Sequence, residues 1–133
     1  MKKQTRRTFI TSASLLTLGA TASAIPLTAA KKVLVHHVFF WLKKPNSAED
    51  RAKLIQGLHT LEKIETVHDL RIGVPASTEK RDVVDSSYNV SELIFFDDVA
   101  GQKTYQDHPI HKKFVQDCSS LWEKVVVYDS ITI

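Results

Sequence analysis

The sequence predicts an α+β domain whose strands and helices follow the order β-α-β-β-α-β. Three observations carry this. Period-two and helical hydrophobic runs succeed one another in that order from residue 33 onward. The opening run, Val33 to Leu42, is apolar on both of its faces. Turn and cap residues separate the runs at Lys43-Lys44-Pro45-Asn46, at Asp97-Asp98 and at Pro109.

In the first strand, alternation puts Val33, Val35, His37, Phe39 and Trp41 on one face. Leu34, His36, Val38, Phe40 and Leu42 occupy the other. Such a strand is covered on both sides. Ser47, followed three residues later by Asp50, resembles a capping box with a shorter acid than usual. Glu49 and Asp50 also suit the positive end of a helix dipole. Ala48, Ile55, Leu58 and Leu61, with Leu54 flanking, extend the helix to about Ile64. Val67 to Val74 alternates Leu70, Ile72 and Val74 against Arg71 and Gly73, as an edge strand with one wet face would. Pro75 to Ser87 is polar and reads as a loop, and Tyr88 to Phe96 is a strongly β-like run.

Asp97-Asp98 supplies a cap for a short helix from Val99 to Asp107. Pro109 cannot continue that helix from within but suits the first position of a new one. Phe114, Val115, Cys118, Leu121 and Trp122 then share a face, and Lys124 to Ile133 forms the last strand. The resulting arrangement is ferredoxin-like: a four-stranded antiparallel sheet with two helices on one face. The two-sided apolar first strand implies that the bare face is not meant for water. A second copy of the chain covers it most simply, giving a homodimer with sheets face to face.

The N-terminus carries different information. Met1 to Arg7 is basic, a Thr/Ser/Ala-rich apolar run follows from Phe9, and Ala22-Ser23-Ala24 suits a signal peptidase. Thr5-Arg6-Arg7-Thr8-Phe9-Ile10 resembles a twin-arginine export signal. The run is too short and too diluted by threonine to span a bilayer. The expected divisions are a signal peptide at 1–24, a linker at 25–31 and one domain at 32–133. The mature protein is then periplasmic or extracytoplasmic, with no membrane attachment. Losing the four basic residues of the leader leaves 14 of 18 Lys and Arg against 15 Asp and Glu, so the +3 of the whole chain carries no nucleic-acid signal. Cys118 is the single cysteine and reads as a small buried side chain.

From His37 to Pro45 the chain has a His before an apolar strand that ends in Lys-Pro. Gly73, the Tyr88-Asn89 pair, Val127-Tyr128-Asp129, and above all Tyr105-Gln106-Asp107-His108-Pro109-Ile110-His111 with Phe114 complete a pattern. In these features the chain resembles the Dabb family, the stress-responsive A/B barrel domain, departing from it at Asn89, where an acid is usual. The resemblance implies a dimeric α+β barrel. It also implies, by analogy with members that act on polyketide-like substrates, an acid–base pair of Tyr105 and His111.

That pairing is chemically sensible. A neutral imidazole can take a proton near neutral pH, and a phenol can donate a hydrogen bond to a developing enolate oxygen. Tyr105 and His111 flank the Pro109 break, so their rings can converge from successive helices. His37, Phe39, Tyr88 and His108 are the candidate lining of a ligand pocket, with His108 also placed to cap the second helix segment. A metal would need His37 and Asp107 beside His108 and His111, and no cysteine pair or Glu-x-x-His supports one, so none is expected. No phosphate loop, nucleophile elbow or flavin fingerprint implies a cofactor. The leading expectation is an exported homodimer that binds a small, mainly apolar molecule. The alternatives are an acid–base cyclase, lyase or isomerase using Tyr105 and His111, and a dimer that serves only as a scaffold.

Overall fold

The computed structural model describes residues 30–133, so the expected leader, and all but the end of the linker, lie outside the described residues. Four strands and three helices follow one another as β1 (Leu34–Leu42), α1 (Ala48–His59), β2 (Asp69–Gly73), β3 (Val90–Phe96), α2 (Val99–Asp107), α3 (Pro109–Cys118) and β4 (Trp122–Ile131). Short 3-10 turns extend α1 and α3, at Thr60–Lys63 and Ser119–Leu121. The strands form one antiparallel sheet in the order β2-β3-β1-β4, which is the ferredoxin-like topology.

The caps form as the sequence predicts. The Ser47 hydroxyl accepts from the Asp50 amide, and the Asp98 carboxylate accepts from the Gly101 amide at 2.8 Å. The expected second helix is two helices, because Pro109 has no amide proton to continue α2 and instead opens α3. Trp122, expected on the helix, is already the first residue of β4.

On β1 the buried residues are Leu34, His36, Val38, Phe40 and Leu42, and on β3 they are Val90, Glu92, Ile94 and Phe96. These faces lie under the helices, together with Leu54, Leu58, Leu61 and Ile64 from the α1 region and Phe114 and Cys118 from α3. The stripe on α1 is centred on Leu54 and Leu58, one residue round from the expected Ile55, and Ala48 is exposed. Gly57 is what lets α1 and α3 approach: a Cβ there would stand 2.5 Å from the Cys118 sulfur and 3.1 Å from the Phe114 ring.

The opposite face of the sheet has no helix on it. His37, Phe39, Trp41, Tyr88 and Tyr128 form an aromatic cluster there. The Phe39 ring lies 4.2 Å from His37 and 4.8 Å from Tyr88, and the Lys124 ammonium sits 4.4 Å over Trp41. Asn89 acts at the head of β3. Its side-chain oxygen accepts from the Leu42 amide and its NH2 donates to the Pro45 carbonyl, a double role that an ionised acid cannot fill. Among the described residues no helix is long and apolar enough to cross a membrane.

Candidate functional site

The proline break sets the geometry of the site. His108, in extended backbone, ends α2, and its Nδ1 accepts from the Ile110 amide to cap α3. Tyr105 on the last turn of α2 and His111 on the first turn of α3 are thereby turned toward each other, with ring centroids 4.6 Å apart. His36 approaches from β1, its ring 5.7 Å from that of Tyr105 in an edge-on arrangement.

These three rings line a cavity of about 170 Å³ between the sheet and α2–α3. Val38, Phe40 and Phe114 supply apolar wall, and Val115, Val125 and Val127 form a partly exposed rim between α3 and β4. The remaining titratable group is Glu92 of β3, which is 1% exposed. Its register partner on β1 is Val38, so no charged neighbour stands directly across the ladder.

Each group is tuned by its surroundings. His36 pairs in register with Asp129 on β4, and its Nδ1 donates to the Asp129 carboxylate across 2.5 Å. Burial lowers the His111 pKa below the ordinary 6.5; a hydrogen bond with the Gln106 backbone pulls it upward and the neighbouring His36 pushes it further down. Burial, and secondarily the Glu92 charge, raises the Tyr105 phenol above its ordinary 10, so it keeps its proton and remains a hydrogen-bond donor at any working pH. Burial alone pushes the Glu92 carboxyl up to about 8, and its Oε1 has no hydrogen-bond partner. The cavity therefore offers a neutral imidazole, a phenol and a carboxylic acid within apolar walls.

Of the residues expected at the site, Tyr105 and His111 come together. His37, Phe39 and Tyr88 do not join them, because odd-numbered β1 residues and Tyr88 lie on the helix-free face of the sheet. The pocket's first-strand imidazole is His36. His108 also stands outside the cavity, with its Nδ1 used as the cap and its Nε2 3.3 Å from Glu65. Neither His36 nor Glu92 was expected at the site. The sign of Glu92 in the sequence is its parity, a charge at the same alternation as Val90, Ile94 and Phe96. Among the described residues no three His, Cys, Asp or Glu side chains are grouped so as to hold a metal ion.

Known structures share this architecture. A Dabb family protein with a ferredoxin-like fold from Mesorhizobium loti is 27% identical, covering 77% of this chain and 98% of its own, with a TM-score of 0.62. The hydroxynitrile lyase of Passiflora edulis is 20% identical over 77% of this chain and 95% of its own, with a TM-score of 0.66. A dimeric ferredoxin-like protein of unknown function from Thermobifida fusca is 17% identical over 80% of this chain and 96% of its own, with a TM-score of 0.62. At 20% and 17% identity, the last two show a shared fold alone. Among curated proteins none matches the sequence. The profile of the stress responsive A/B barrel domain, Dabb, matches residues 34–132, the whole folded region, and the chain belongs to that family.

Proposed function

We propose that the chain is an exported, homodimeric α+β barrel that binds a small, mainly apolar molecule in the cavity beside Tyr105 and His111. The observation that carries the binding reading is the cavity itself. It is an apolar recess of about 170 Å³ whose polar points are inward-facing titratable side chains, one of them without a partner. Native mass spectrometry of protein isolated from its own compartment tests this. A stoichiometric small-molecule adduct that is lost on Val38→Trp, which fills the cavity, is the expected result. Absence of any adduct, together with no binding in a screen of apolar compounds, overturns the reading.

Dimerisation is supported by the aromatic cluster on the helix-free face, which would otherwise hold five rings against water. The Thermobifida fusca neighbour is itself described as dimeric. Export is supported by Thr5-Arg6-Arg7-Thr8-Phe9 and Ala22-Ser23-Ala24. A protein whose N-terminus begins at Ile25 in the periplasmic fraction is the expected result, and a full-length cytoplasmic product overturns it.

Acid–base catalysis is the second reading, favoured by the 4.6 Å approach of Tyr105 and His111 and by the burial that keeps His111 able to accept a proton. Turnover in a screen of polyketide-like and hydroxynitrile substrates should be lost in Tyr105→Phe and in His111→Gln. Turnover that survives both changes ends that reading.

A further inference from the structure

Glu92 is a titratable side chain of the cavity that lies outside the acid–base pair of Tyr105 and His111. It is enclosed by the core at 1% exposure, lines the cavity beside Tyr105 and His111, and leaves Oε1 without a partner. A buried polar atom in that state costs the fold stability and calls for an explanation. Leucine in the same place would complete the apolar face of Val90, Ile94 and Phe96 at no such cost. The carboxyl is therefore a group awaiting a partner from outside the chain.

We infer that Glu92 is the ligand-selecting group of the cavity, donating a hydrogen bond as a carboxylic acid to the carbonyl oxygen of an uncharged aryl or short alkyl ketone or aldehyde. This rests on the cavity being a binding site. The size fits the class, since an apolar cavity of about 150 Å³ accepts benzene and this one, at about 170 Å³, has room for a ring and a small oxygenated group. The charge fits as well. Burial in apolar surroundings favours the protonated carboxyl, and a protonated carboxyl is a donor that meets a carbonyl directly. An ammonium ligand would demand an ion pair stripped of water, with N–H groups left facing Val38, Phe40 and Phe114. The groups facing Glu92 across the cavity are His36 on β1, Tyr105 on α2 and His111 on α3, with Asp129 on β4 behind His36.

Three probes of nearly one shape test this by calorimetric titration of the purified protein: acetophenone, α-methylstyrene, which replaces the carbonyl oxygen by a methylene, and 1-phenylethylamine. At pH 7 acetophenone should bind roughly 3- to 10-fold tighter than α-methylstyrene, the share of one net hydrogen bond. At pH 9.5 that preference should fall to within about twofold in the wild type, as the acid loses its proton. In Glu92→Gln, whose amide remains a donor, the preference should be the same at both pH values. Glu92→Gln keeps His36, Tyr105, His111 and Asp129, so any response from those groups is common to both proteins. In Glu92→Leu acetophenone and α-methylstyrene should bind alike. Equal binding of the two by the wild type at pH 7, or tighter binding of the amine, overturns the role of Glu92 and leaves the cavity as a binding site. Failure of all three to bind folded wild type overturns the binding site and the role together.

Discussion

Glu92→Gln is expected to flatten the dependence of folding stability on pH. The wild-type carboxyl ionises at about 8 in the folded protein and at the ordinary 4.5 once unfolding exposes it to water. Between those values the folded state holds a proton that the unfolded state has released. Stability therefore falls as pH rises through this window, by roughly 1.4 kcal/mol per pH unit. Across the whole interval the loss approaches about 5 kcal/mol, an upper bound because water entering the cavity relieves part of the desolvation of the charged form. Below 4.5 both states are protonated and the contribution vanishes, and above 8 both are ionised and it is constant. Gln cannot ionise, so the difference in stability between the two proteins should widen with pH and then level off. The assay is urea unfolding at fixed protein concentration, from pH 4 to pH 9.5, followed by tryptophan fluorescence. All other titrating groups are shared, so their contributions cancel in the difference. Parallel curves for wild type and Glu92→Gln would refute the claim that this carboxyl is buried and neutral.

Gly57→Ala should destabilise the protein by about 1 to 3 kcal/mol in denaturant unfolding, because the new methyl collides with the Cys118 sulfur and outweighs the helix propensity gained. Combining it with Cys118→Ala should recover part of that loss, and strict additivity of the two changes would rule out the contact as the cause. The His111 ring protons should titrate below 6.5 by NMR. The imidazole then favours the folded state fully above pH 6.5, and this contribution is lost as pH falls through 6.5 toward the lower folded value. Wild type should sediment as a dimer in analytical ultracentrifugation and Phe39→Glu, on the helix-free face, as a folded monomer; a variant that stays dimeric would place the interface elsewhere.

The sequence was most informative where local chemistry decides the structure. Ser47, Asp98 and Pro109 mark helix starts through bonds to their own neighbours, and each helix begins where they indicate. The alternation of β1 likewise separates His36 from His37 without reference to anything distant. Which of those two faces the helices cover is not local. Both faces of β1 are apolar, so the hydrophobic pattern cannot tell the helix side from the bare side, and the pocket's imidazole is His36 where His37 was expected. Glu92 lay hidden in a run dominated by Leu93, Ile94, Phe95 and Phe96, with only its parity to set it apart. The role of Gly57 depends on which helix passes it, something only the assembled layers define.

The break at Pro109 has one more consequence. Tyr105 and His111 belong to two rods joined at a fixed mitre, so their separation is a property of the joint and not of either ring. The pyrrolidine ring locks one dihedral, and the Nδ1 of His108 braces the next turn through its bond to the Ile110 amide. The fold thus carries a built-in calliper. A change at residues 108 to 110 would reset the jaws and regrade the site for a thinner or thicker molecule while both jaws stay chemically intact.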